Sequence, residues 1–536
     1  MKPKGMLALV LHAHLPYVRH PEYPNSIEEH WLFEAMTETY IPLLQMFGRL
    51  DRDGVPGKIT MSLTPTLGSM LQDELLMNRY DQYLDRMIEL AQKELERTRW
   101  QAEIFPLAQM YYALYKDTKH AFANEYHRNL VKAFGLYQAK GKVEIIASCA
   151  THGFLPLMDQ PQAIDAQIGV GVEWYRRQFH QDPVGFWLPE CGYALGVDKA
   201  LQKHGVRYVI TDTHGVLHSI PKPRYSVYAP IYSPTGVGFF GRDMESSKQV
   251  WSATEGYPGD FEYRDFYRDI GYDCEFDYVK PYLPGGVRGN TGIKYHRITG
   301  KDMEKQPYSP HAAREKAAQH GGNFMFNREK QIEFLCNHMD REPIIVAPYD
   351  AELLGHWWFE GPQWLEFLIR KLAYDQQIIT LGTPGEYLDQ YPQNQVAQPS
   401  MSTWGNNGYN EVWLDDCNDW IYQHLSLIAA EMVQLGTIET TNQLMQRALA
   451  QAVREVLLAQ SSDWAFIIKA GTMVDYATYR TKVHVARFWQ LHDQIRKEAI
   501  DEKQLAEIER QDNIFPDLDY RVYRQGITLE AIAQIS

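Results

Sequence analysis

An apolar, β-branched run from Pro343 to Ala347 leads to a single acid, Asp350, and the aromatics Trp357, Trp358 and Phe359 follow at once. Such a run suits a parallel strand covered on both faces, and the C-terminal ends of such strands are where α/β barrels keep their chemistry. An acid there, among flat apolar rings that can stack on the C–H faces of pyranoses, is how a sugar-cleaving carboxylate is presented. Taken alone, the segment reads equally well as a loop acid beside core aromatics. The stretch DPVGFWLPECGY, Asp182 to Tyr193, repeats the pattern and puts Glu190 where Asp350 stands in its own segment. Two carboxylates on two strand ends can meet across a barrel mouth. Glycoside chemistry uses such a pair, one as nucleophile or base and one to protonate the leaving oxygen, and their separation, which no sequence supplies, sets retention or inversion.

Histidines mark two further strand ends. MLALVLHAHLP, Met6 to Pro16, carries His12 and His14, which strand alternation points to one side, and VEIIASCATHG ends in the same way on His152. One such histidine would be read as a hydrogen-bonded structural residue. Three at strand ends point to a shared pocket, as partners of sugar hydroxyls or as metal ligands.

Read together, His12-Ala-His14-Leu-Pro16, the His152-Gly153 segment, WLPECGY around Glu190 and PYDAELLGHWWFEGP around Asp350 resemble, in order and spacing, the signature regions of glycoside hydrolase family 57, and most of all its 1,4-α-glucan branching enzymes. The resemblance extends over nearly the whole chain, through RDMESSKQVWSATEGYPGDFEYRDFYRDIGYD and STWGNNGYNEVWLDD. It implies an incomplete (β/α)7 barrel with an added helical domain. It also implies a retaining mechanism on an α-1,4-glucan, with Glu190 as nucleophile, Asp350 as general acid/base and no cofactor. By the same resemblance Trp404 and Asp463 contact substrate, and Arg268 and Gly285 carry over from the cleft loops. Trp357 and Trp413 are further candidate sugar platforms, and Trp31 is one at the start of an amphipathic helix; for Trp31 and Trp413 core packing is the competing reading. Two acids do not distinguish transfer to a 6-hydroxyl, transfer to a 4-hydroxyl and hydrolysis, so a family 57 α-amylase or 4-α-glucanotransferase stays open. A metal-dependent amidohydrolase-type barrel would instead use His12, His14, His152 and Asp350 as ligands, but its pattern does not expect Glu190 on the fourth strand.

The elements that must position these groups are legible as strand-like runs at 7–11, 58–63, 143–148, 185–188, 208–211, 237–240, 344–347 and 378–381, alternating with helical stretches. Residues 1–390 are thus expected to form the barrel. A helical insertion is expected at about 73–138, and the Pro, Gly and Tyr-rich stretch at about 206–298 reads as cleft-shaping loops, with 221–260 a natural lid. The polar stretch QYPQNQVAQPS has linker character, and helical periodicity dominates 400–536. With 536 residues the chain can bury a large core, and a net charge of −15 speaks against a nucleic-acid partner. Five scattered cysteines without a CxxC pair suit a reducing cytoplasm, and neither a signal peptide nor a membrane span is expected.

Overall fold

The apolar runs that carry His12 and Asp350 become adjacent parallel strands. In the computed structural model, which describes residues 3–252, 255–300 and 303–524, β1 (Gly5–Ala13) is buried along its whole length. One edge of β1 pairs with β8 (Ile344–Asp350), bringing His12 opposite Asp350. Its other edge is shared by β2 (Ile59–Leu63) and β9 (Ile379–Leu381). From β2 the sheet runs through β3 (Val143–Ser148), β4 (Gly185–Trp187) and β5 (Tyr208–Thr211) to β7 (Gly238–Gly241), all parallel. Two short strands, β6 (Ile231–Tyr232) and β10 (Gln395–Val396), extend it beyond β7. The path β8-β1-β2-β3-β4-β5-β7 is an incomplete seven-stranded barrel, and strands buried on both faces explain the unbroken apolar runs. The expected strand positions are all occupied; β6 and β10 are too short to leave a periodic signal.

Among the described residues no ladder joins β7 to β8, and a buried charge cluster spans that seam. The Asp243 N–H donates to the Val346 carbonyl at 2.9 Å. Its carboxylate caps the helix Met244–Trp251 through the Ser246 N–H at 2.7 Å. The same carboxylate accepts from Gln331 at 2.8 Å and from the fully buried Arg328 at 3.2 Å, both on the helix Pro310–Cys336. A single aspartate therefore ties the last strand, a cleft helix and an outer helix together.

Between β2 and β3 lie the helices Glu74–Thr98, Phe105–His120 and Leu130–Ala139. The stretch at 206–298 is not loop throughout: it contains β5, β6, β7 and the helix Met244–Trp251. Because β7 is an integral barrel strand, the span 221–260 cannot move as one lid. QYPQNQVAQPS lies against the barrel, with β10 in the sheet and Gln398 exchanging backbone hydrogen bonds with Ile220. After residue 400 come the helices Trp420–Gly436, Gln443–Ala459, Ser462–Ala470, Val474–Arg496 and Glu502–Gln511. They surround a buried ionic knot in which His484 bonds Glu455 at 2.8 Å and Arg487 pairs with Asp512. Residues 525–536 of the expected helical region lie outside the described residues. Among the described residues no helix is long and apolar enough to cross a membrane.

Asp243→Ala leaves the buried Arg328 with only the solvent-exposed Glu245, at 2.8 Å, and removes a helix cap, so a loss of roughly 2–4 kcal/mol is expected. It should appear as a lower urea midpoint of the barrel transition; an unchanged midpoint would contradict the role given to the seam.

Candidate active site

Strand geometry converges the predicted groups on the C-terminal mouth of the barrel. His12 ends β1 between Ser62 on β2 and Asp350 on β8, and Glu190 follows β4 directly. The Glu190 backbone is left-handed, at φ 61° and ψ 22°. Its neighbours in the site share this strain, with His152 at φ 57° and Cys191 at φ 52°. Left-handed, non-glycine residues are uncommon and cluster where surrounding structure holds a side chain in a demanding position.

What holds Glu190 comes from the C-terminal third of the chain. The Trp404 indole donates to Oε2 at 2.8 Å and Ser462 Oγ donates to Oε1 at 2.8 Å. The Trp404 N–H also bonds the Glu190 carbonyl at 3.0 Å. Burial pushes the Glu190 carboxyl above its ordinary range, and these two side-chain donors oppose that rise. Asp350 is treated differently. Among the described residues its carboxylate accepts no hydrogen bond. Burial first, then the charges of Glu352 and Glu190, drive its pKa well above the ordinary carboxylate value, with Arg242 the opposing charge. Both acids are raised, but Asp350, without donors, is driven further toward its protonated form than Glu190 with its two.

The histidines form a stack beside Glu190. His14 and His152 lie face to face with ring centroids 3.8 Å apart at 15°, and His12 stacks on Trp187 at 4.4 Å. His12 and His152 donate or accept across 3.0 Å between their Nε2 atoms. Burial and the neighbouring imidazoles push both pKa values down, so both are neutral at pH 7. His14 is the exception. Burial works against its charge, but Asp463, at 3.0 Å from Nε2, together with Glu190 and Glu352, more than offsets it. Asp463 in turn is held at about 2 against the effect of its own burial, by His14 above all. The pair is an ion pair between the end of β1 and the first turn of Ser462–Ala470.

His14, His152 and Asp463 place potential ligand atoms within 4.8 Å of one another. Asp350 does not join them, contrary to the amidohydrolase-type reading. Parallel stacked imidazoles also send their lone pairs side by side, whereas a tetrahedral ion needs them to converge.

The aromatic candidates divide. Trp404 belongs to the site, and Trp357 is 53% exposed on a stacked contact with Phe266 at 4.4 Å. Trp31 is half-buried, with its ring edge on Tyr476 at 5.9 Å. Trp413 is a correction: only 1% exposed, it stacks on Phe154 at 4.5 Å and joins the helical region to the barrel. The core-packing reading holds there, because no face is left for a sugar. Arg268 spends its guanidinium on an outer ion pair with Asp273 at 2.8 Å, and Gly285 forms a left-handed turn against Ile27. Neither contacts the two acids or their partners.

Four contributors escaped sequence reasoning. Glu352 accepts from Tyr40 at 2.5 Å and from the His14 N–H at 3.1 Å, and burial lifts its pKa to about 7. Its position two residues after Asp350 was the available signal. Trp251 turns its edge toward Trp404 at 6.5 Å. Arg242, paired with Asp212 at 2.6 Å, supplies the cation facing Asp350. Ser462 was visible only as part of a Ser-Ser-Asp helix start.

The sequence matches the description "Glycosyl hydrolase family 57" over residues 8–400, and "1,4-alpha-glucan branching enzyme, C-terminal" over residues 424–523. It is similar to the crystal structure of the α-amylase AmyC from Thermotoga maritima, at 43% identity and a TM-score of 0.92, covering 98% of this chain and 100% of that one. A branching enzyme from Pyrococcus horikoshii superposes with a TM-score of 0.87 at 30% identity, covering 97% of each chain. A 1,4-alpha-glucan branching enzyme of Thermococcus kodakarensis is 32% identical, covering 96% of this chain and 77% of that protein. With the match running unbroken through the histidine, Glu190 and Asp350 segments that meet at the barrel mouth, the chain belongs to glycosyl hydrolase family 57.

Proposed function

We propose that this protein is a 1,4-α-glucan branching enzyme that works by retaining double displacement, with Glu190 as nucleophile and Asp350 as general acid/base. The observation that carries the reading is the clasp on Glu190. Ser462, and Asp463 beside it, come from the region that matches the branching-enzyme C-terminal description. The part of the chain most characteristic of branching enzymes therefore completes the catalytic mouth.

In the first step Glu190 attacks the anomeric carbon of an α-1,4-linked glucose while Asp350 passes its proton to the departing 4-oxygen, leaving a glycosyl ester. Two donors keep Glu190 an acceptor, and the lack of donors keeps Asp350 protonated. In the second step Asp350, now ionised, takes the proton of an incoming 6-hydroxyl, which attacks the ester and forms an α-1,6 branch. Trp404, Trp357 and Trp31 are the sugar-facing groups of this reading, while His12 and His152, whose ring nitrogens are all committed within the protein, stand behind Glu190. A cytoplasmic enzyme of glycogen-like glucan synthesis fits it.

Hydrolysis is the second reading, and the likeness to a Thermotoga α-amylase favours it. Transfer and hydrolysis share the ester and differ in what attacks it, so product analysis separates them. Amylose incubated with the protein should acquire α-1,6 linkages, seen by proton NMR, in excess of reducing ends released. Reducing ends without branches would make the protein an amylase.

Glu190→Gln should leave the melting temperature unchanged and lower turnover by roughly 10³-fold or more, since an amide cannot form the ester. Azide should restore cleavage in Glu190→Ala; activity near wild type in either variant, or no azide response, would remove Glu190 from the role. A carboxylate pair needs no Lewis acid, so dialysis against EDTA should leave activity intact. Loss on chelation and recovery with zinc would return His14, His152 and Asp463 to ligation.

A further inference from the structure

Four buried side chains run in series behind the nucleophile. Ser62 Oγ lies 2.5 Å from His12 Nδ1, and His12 Nε2 lies 3.0 Å from His152 Nε2. His152 Nδ1 lies 2.8 Å from Ser462 Oγ, which lies 2.8 Å from Glu190 Oε1. All four are at most 2% exposed, so no solvent competes for these bonds.

The polarity of the series follows from counting protons. An ionised Glu190 has none to give, so Ser462 must donate to it. Ser462 has a single proton, so at His152 it can only accept, and His152 must carry hydrogen on Nδ1. Being neutral, His152 then has a bare Nε2, and the one proton between the two Nε2 atoms belongs to His12. A neutral His12 is left with a bare Nδ1, which accepts from Ser62. The opposite polarity would require Glu190 to be protonated. An ester carbonyl at Glu190 still accepts, so the same direction serves both halves of a double displacement.

We propose that Ser62, His12, His152 and Ser462 form a hydrogen-bond chain of one polarity that ends on Glu190 and holds it as the ionised acceptor, with Ser62 a positioning residue of the reaction. Aligned donors polarise one another in a buried site, so the far end of the chain is felt at the carboxylate. Ser62 touches neither substrate nor Glu190. Its hydroxyl donates to the His12 Nδ1 that the chain leaves bare, and so supports the His12 and His152 tautomers that leave the Ser462 proton free for Glu190. The activity part of this inference rests on Glu190 as nucleophile; the tautomer part does not.

The tautomers are read by two-bond ¹⁵N–¹H correlation spectra of ¹⁵N-histidine-labelled full-length protein at pH 7, with the two residues assigned by single replacement. His12 should carry its proton on Nε2 and His152 on Nδ1. An imidazolium at either, or the reversed tautomers, overturns the proposal. In kinetics on amylose, Ser62→Ala should lower kcat roughly three- to tenfold, the scale of one net hydrogen bond, with KM little changed. The acid limb of its pH profile should move upward, because Glu190 becomes harder to ionise. Ser62→Thr, which restores the hydroxyl, should recover both. A folded Ser62→Ala protein with wild-type kcat and acid limb would overturn the positioning role. An active Glu190→Gln would instead remove the nucleophile assignment and leave the spectra standing.

Discussion

Two hydrogen bonds to one carboxylate, from Trp404 and Ser462, are the interaction on which the site depends. A buried carboxylate is costly, and without donors Glu190 would drift toward its neutral form. Both donors lie beyond residue 400, so the nucleophile is complete only when the helical region is docked on the barrel. This accounts for structure far from the reaction. The Trp413–Phe154 stack and the His14–Asp463 ion pair fix the helical region relative to the strand ends, and the buried Glu455–His484–Asp512 knot holds that region's own helices together. The left-handed conformation of Glu190 is tolerated because its carbonyl and both its carboxylate oxygens are held from that side.

The same logic separates the two acids. They share a mouth and are both buried, yet only Glu190 has donors, while Asp350 faces two other carboxylates and one arginine. Burial without compensation favours the proton strongly; burial with two donors favours it less. The contrast arises at strand ends that differ little in sequence pattern, an apolar run and then an acid. What differs is the chain that crosses above them.

That difference also explains which features could be read from the sequence. Strands buried on both faces leave continuous apolar runs, so the barrel strands, the two acids and His12, His14 and His152 were legible with their positions. Trp404 and Asp463 came from the family resemblance, because no periodicity marks a loop tryptophan or a first-turn helix residue that reaches across to the strand ends. Ser462, Arg242 and Tyr40 were invisible because their roles lie in contacts made hundreds of residues away or through a neighbour's charge. Trp413 misled because a large aromatic in a turn-rich segment looks the same whether it faces a cleft or Phe154. The strand-like run at 237–240 was legible, but the Pro and Gly around it made 221–260 look like a lid, although β7 anchors that stretch in the barrel.

The claim that Glu190 is the group attacked onto sugar, clasped by a second region of the chain, is tested most directly by trapping. A 5-fluoro-α-glucosyl fluoride forms the ester faster than it is released from a retaining enzyme. Peptide mapping of the trapped protein by mass spectrometry should place one glycosyl group on Glu190, within the WLPECGY segment. Label on Asp350, or slow turnover with no covalent adduct, would contradict the account.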